Sequence, residues 1–232
     1  MHDRRILVWD LPTRLFHWLL AILVAAAFYT GLLGGNLMAW HGRIGLAILG
    51  LLAFRLAWGV LGSTYARFTQ FVKGPGAVID YLRGHWSGVG HSPLAALSVL
   101  TLLALLLFQS ISGLFTNDDI AFQGPLYDLV SRATSNGLTG LHRQNIWLIG
   151  GLIGLHVAAV LFYTLIRKDD LIRPMIHGHR DAPHPQAHSA TGGGWLAFAI
   201  AVAIAIGVVW VGGGGLLAPP PPPPPPGAVP TW

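Results

Sequence analysis

Residues 141–170 read "LHRQNIWLIGGLIGLHVAAVLFYTLIRKDD", and their reading decides the fold. The stretch is apolar enough and long enough to cross a bilayer, which needs about 20 residues as a helix. Yet it carries two histidines, His142 and His156. Polar side chains at membrane depth are costly and are found where they have work to do. Fourteen residues are nearly four helical turns, so the two imidazoles share one face and stand about 21 Å apart along the axis.

Composition agrees with a membrane protein. Apolar residues make up 53% of 232 positions and charged residues 10%, under half of the usual charged share of about 25%. Five stretches qualify as spans: about 15–34, 41–62, 93–115, 142–166 and 195–217. The expected organisation is therefore a leader (1–14), a four-span unit (15–166), a linker (167–194), a fifth span (195–217) and a tail (218–232). The leader is charged and no small-residue cleavage site follows the first apolar run, so that run is expected to be kept. The tail contains eight successive prolines, 219–226, and is expected to run as polyproline II or unstructured chain.

Lysine and arginine collect in cytoplasmic loops. The leader, the loop after span two and the loop after span four hold Arg4, Arg5, Arg14, Arg67, Lys73, Arg83, Arg167, Lys168, Arg173 and Arg180. The other side holds Arg43, Arg132 and Arg143. This bias places the N-terminus in the cytoplasm and, with five spans, the C-terminus outside: in the periplasm if the source is a bacterium. The net charge of +5 is then a topology signal. With no basic stripe on one face, a nucleic-acid partner is not expected.

There is no cysteine, which excludes disulfides, thiolate zinc sites and iron–sulfur ligation by this chain. Depth sorts four histidines into two pairs. His41 opens span two and His142 opens span four, both on the outer side. His17 lies early in span one and His156 late in span four, both on the cytoplasmic side. Two imidazoles on different helices of a bundle suit a haem, whose iron takes one nitrogen from each face. Gly150, Gly151 and Gly154 lie between the paired positions of span four, and Gly31 lies fourteen residues after His17. Without a Cβ, each allows a flat macrocycle close to the helix. Arg55 is mid-span and fourteen residues from His41, at the inner depth, where a propionate would pair with its guanidinium or the side chain would snorkel to the interface.

With these residues in view, the chain resembles the bacterial cytochrome b561 family, which includes the b-type cytochrome subunits of nickel–iron hydrogenases. "WDLPTRLFHW" (9–18), "WHGRIG" (40–45), "GHSPL" (90–94), the His142/His156 spacing and "RKDDLIRPMIHG" (167–178) carry the resemblance, across about residues 5–178. It implies an all-α integral membrane protein: a four-helix bundle enclosing two b-type haems, with His17, His41, His142 and His156 as axial ligands. It also implies electron exchange between the quinone pool and a periplasmic partner, a c-type cytochrome or a hydrogenase-like protein, in the bacterial inner membrane. The fifth span and the proline tail depart from that pattern, and the chain leaves an oligomer open.

Other polar residues carry less. His91 is read as an interfacial residue, with a propionate or quinone contact as the alternative. The quinone candidates are Tyr65, Asp80, Tyr81, His85 and His91, together with Gln109 and Ser110, which could equally bond between helices. His177, His179, His184 and His188 belong to a Gly/Pro-broken linker. Outer loop 116–141 carries Asp118, Asp119 and Asp128 and is the expected docking surface. Two other functions stay open: a stand-alone quinol oxidoreductase acting on a small oxidant, and a histidine-lined metal transporter. The second is disfavoured, because the spans contain no carboxylate.

Overall fold

The computed structural model describes residues 4–86 and 88–217; the proline-rich tail and His2 lie outside them. In chain order the elements are β1 (Arg5–Leu7), α1 (Leu11–Leu33), α2 (Met38–Leu61), the short α3 (Phe68–Phe71) and α4 (Pro75–Leu82), α5 (Pro93–Gly113) and α6 (Arg132–Leu161). They continue with α7 (Ile172–His177), β2 (His179–Asp181) and α8 (Trp195–Gly212). Five helices, α1, α2, α5, α6 and α8, are long and apolar enough to cross a membrane. In hydrocarbon a span must satisfy its own backbone, and helices of this length do so.

The helix starts follow local chemistry. Asp10 caps α1 by accepting the Thr13 N–H at 2.7 Å, with Pro12 in the first turn. Ser92 caps α5 ahead of Pro93, and Ser131 caps α6. Side-chain oxygens at these positions take backbone donors that have no partner inside the helix. α1 ends at Gly34, whose φ of 64° any other residue would resist.

α6 starts at Arg132, ten residues before the expected span, and closes in a π-helical turn at Phe162–Ile166. The extra helix is the polar run "RATSNGLTGL". Too hydrophilic to count as a span, it is held in place because the buried Ser135 donates to the Phe115 carbonyl at 2.7 Å and accepts from Asn117 Nδ2 at 2.6 Å. The outer loop is correspondingly shorter than 116–141.

α1 packs on α2, α2 on α5, and α5 on α6. Buried Phe16, Val24, Ile48, Leu52, Leu106 and Ile149 share one core. α6 packs its backbone against α5 and stands off from α1 and α2. α8 lies on the other side of α2. Gly50 of α2 takes Val209 so closely that an added Cβ would sit 2.6 Å from that side chain, and Ala201 is fully buried. Such small-residue contacts are how apolar helices associate in lipid. Phe198 meets Phe54 and Trp58 edge-on at 5.8 and 6.2 Å.

One end of the bundle is capped by three segments brought together. β1 pairs antiparallel with β2, Arg5 opposite Asp181. Arg4 donates to the Pro185 carbonyl at 2.9 Å, the Tyr65 hydroxyl to the His188 carbonyl at 2.7 Å, and the Thr64 N–H to the Thr191 carbonyl at 2.9 Å. Leader, loop 62–92 and linker thus occupy the same end, as alternating spans require.

Candidate haem sites

His41 stands in the first turn of α2 and His142 in the outer half of α6, and their ring centroids are 6.1 Å apart. His17 of α1 and His156 of α6 face one another at 6.4 Å. The structure therefore brings together the two pairs that depth selects. An imidazole bound through one nitrogen places its centroid about 3.1 Å from a metal, given a bond of about 2.0 Å. Two imidazoles on opposite sides of one iron are then about 6.2 Å apart, which is the separation of both pairs.

The outer rings are seated closely. A Cβ on Gly31 would lie 2.8 Å from Cε1 of His41, and one on Gly113 would lie 3.0 Å from Cε1 of His142. Gly31 thus makes room for the His41 imidazole at the outer end, where the spacing from His17 suggested a role beside the macrocycle. Gly113 escaped the sequence reading; its signal is a hydroxyl residue immediately before it, as Thr30 precedes Gly31. Gly150 approaches only Phe28, at 3.9 Å, and nothing lies within 4 Å of a Cβ on Gly151 or Gly154. These three glycines are exposed, and Gly151 and Gly154 lie on the side of α6 away from its histidines; Ile149, seven residues from each histidine and on their face, is 1% exposed.

The inner end is rich in buried polar atoms without partners. Arg55 is 3% exposed, forms no ion pair among the described residues, and has a buried Nη1 with no hydrogen bond. Its guanidinium lies over Phe68 and Phe71, at 4.8 and 5.9 Å from their centroids. It does not snorkel, because α3 closes over it. Nδ1 of His17 and Nδ1 of His91 are also buried and unpartnered. His91, half-buried just before the α5 span, packs with Trp9 and Phe71 each 4.6 Å from its ring. Burial, reinforced by the nearby positive charge of Arg55, holds its pKa down, at about 3. A guanidinium and two imidazole nitrogens left open at one place fit an anionic, hydrogen-bond-accepting group such as a propionate.

The other candidates fall elsewhere. Gln109 bonds between helices, accepting from Asn145 Nδ2 at 2.9 Å and donating to the His142 carbonyl at 3.1 Å. Tyr81 pairs with the Tyr163 hydroxyl, and Tyr65 belongs to the cap. Asp118 and Asp119 of the outer loop are engaged locally. Asp118 accepts the N–H groups of Ile120, Ala121 and Phe122, and Asp119 pairs with Arg132 at 3.1 Å.

The family model described as prokaryotic cytochrome b561 matches residues 8–178. The chain belongs to the prokaryotic cytochrome b561 family. Membership in this cytochrome b family brings haem b and membrane electron transfer with it. Among curated relatives, the chain is similar to the "Probable Ni/Fe-hydrogenase 1 B-type cytochrome subunit" of Escherichia coli K12. The two are 23% identical over 212 residues, covering 75% of this chain and 89% of that protein. The protein of the same description from Escherichia coli O157:H7 matches equally. No solved structure matches. The cytochrome b561 match ends at residue 178, so α8 lies beyond it.

Proposed function

We propose that this chain is a di-haem cytochrome of the bacterial inner membrane that carries electrons between the quinone pool and a periplasmic redox partner. The observation that carries this reading is the pair of facing imidazoles at each end of the bundle, at 6.1 and 6.4 Å. His41 and His142 hold the outer haem, His17 and His156 the inner one. Held by two imidazoles, such a haem would supply one-electron transfer rather than oxygen chemistry. A lone metal ion would need three or four protein ligands, and no group of three His, Cys, Asp or Glu occurs together among the described residues.

The remaining residues support the same task. Arg55 pairs an inner propionate and counters its charge in a site that water does not reach. Gly150 faces Phe28 of α1, and the stand-off of the α6 backbone from α1 and α2 leaves room between the helices. The Lys/Arg bias places the cap formed by β1, β2 and loop 62–92 in the cytoplasm, with the C-terminus in the periplasm. The outer loop then faces the partner. A hydrogenase-like protein is favoured over a c-type cytochrome, since the curated relatives are described as hydrogenase cytochrome subunits and Asp119 is already paired.

A reduced-minus-oxidised spectrum with haem quantified per chain tests the reading. Two haems per chain are expected, His17→Ala or His156→Ala removing one and His41→Ala or His142→Ala the other. A folded protein with no b-type α-band ends it. Oxidation of quinol by a small oxidant, without any partner, would favour the stand-alone oxidoreductase instead.

A further inference from the structure

The two outer imidazoles are held by the same device on two different helix pairs. Thr30 and Ser112 are buried hydroxyls, 7% and 2% exposed, each immediately before the glycine that seats a ring. A hydroxyl has one proton to donate. Thr30 directs its proton to the Ala26 carbonyl at 2.8 Å, and Ser112 to the Gln109 carbonyl at 3.1 Å. Each oxygen therefore presents a lone pair to the imidazole beside it: Thr30 to Nδ1 of His41 at 3.3 Å, and Ser112 to Nδ1 of His142 at 3.2 Å. The Ala27 carbonyl, 3.0 Å from the same nitrogen of His41, can only accept. Nδ1 of His41 therefore carries the proton, and with the Ser112 proton spent on the Gln109 carbonyl His142 takes the same tautomer, leaving both Nε2 atoms with free lone pairs.

The inner pair has no such device. Nδ1 of His17 is buried without a partner, and neither His17 nor His156 has a hydrogen-bonded ring nitrogen among the described residues. What the inner end has instead is the buried cation Arg55.

We propose that Thr30 and Ser112 are positioning residues for the outer haem: they accept the Nδ1–H of His41 and His142, fix the ligating tautomer, and set that haem at a lower potential than the inner one. The proposal rests on the di-haem reading. An acceptor on Nδ1–H orients the ring and makes the imidazole a stronger donor. A stronger donor stabilises ferric over ferrous iron, and hydrogen bonding around the ligands is one of the levers on haem potential. At the inner end the missing acceptor and the positive charge of Arg55 both act in the opposite direction, favouring the reduced form.

The test is an equilibrium redox titration of the purified, haem-quantified protein, followed in the α-band. Two components are expected, with the lower-potential one lost in His142→Ala and the higher-potential one lost in His17→Ala. Ser112→Ala moves the lower component upward and leaves the other in place, while Ser112→Thr restores it. Thr30→Val moves it less, because the Ala27 carbonyl still accepts from His41. The inference is overturned if the lower component is the one lost in His17→Ala. It is also overturned if Ser112→Ala keeps both haems and both potentials unchanged. Should Ser112→Ala fail to hold its outer haem, the order of the two wild-type potentials decides the matter unaided. A preparation with no haem at all would overturn the di-haem reading itself.

Discussion

The indole N–H of Trp58 donates to Oδ2 of Asp10 at 3.0 Å, joining the last turn of α2 to the first turn of α1. The other oxygen of the same carboxylate caps α1 through Thr13, and Trp58 is 1% exposed. Asp10→Ala therefore removes a cap and strands a buried donor. The expected loss is about 1–3 kcal/mol, read as a lower unfolding midpoint in detergent. Asp10→Asn, which keeps oxygen for one of the two bonds, should lose less.

The glycines divide by what lies over them. Gly31→Ala and Gly113→Ala push a methyl into the His41 and His142 rings, at 2.8 and 3.0 Å, so each should reduce haem content at the outer site and spare the inner. Gly151→Ala and Gly154→Ala meet no protein atom. In haem-free protein they should stabilise α6 by about 0.5–1 kcal/mol through helix propensity. Both glycines lie on the side of α6 away from His142 and His156, so haem retention in the loaded protein should be unchanged. A raised unfolding midpoint with unaltered haem release is the expected result.

Arg55 should show a reversal between haem-free and haem-loaded protein. Leucine in its place removes a buried cation with no ion-pair partner, and haem-free protein should tolerate or gain from the change. Haem-loaded protein should lose its inner haem preferentially, since a propionate would be left without its counter-charge. Arg55→Lys keeps the charge but loses the planar fork, and should fall between the two. Haem per chain after detergent exchange separates these outcomes.

Asp118 gives a pH dependence outside the membrane. The backbone N–H groups of Ile120, Phe122 and Ala121 hold its carboxyl pKa below the usual value. A carboxylate whose folded pKa is depressed stabilises the folded form above its unfolded pKa, near 3.8. That contribution fades as pH falls below this value towards the folded pKa. Protection factors of the 120–122 amides, with exchange rates normalised to the intrinsic rate at each pH, should therefore fall below about pH 4 and be low at all pH in Asp118→Ala.

Much of this architecture is legible in the sequence because a bilayer imposes a length and a polarity on each span. All five spans and the four facing histidines follow from that constraint and from counting turns. What escaped depends on contacts rather than on periodicity. The first ten residues of α6 are polar and helical because Ser131 and Ser135 hold them, which no hydropathy window registers. The packing of His91 against Trp9 and Phe71, from other segments, is not visible in its place before a span. Ser112 sits thirty residues before His142 and Thr30 only eleven before His41, so no fixed spacing marks the shared device. The three-residue strands β1 and β2 exist only as each other's partners.

That last pairing has a consequence for the order of events in the life of the chain. Arg4 meets its acceptor 181 residues later in the chain, and Ile6 lies opposite Arg180. During synthesis the leader emerges first, but its hydrogen-bonding partners are made only after four spans have been threaded. The small sheet can thus close only once β2 has been made, after all four of the spans that precede it and before α8.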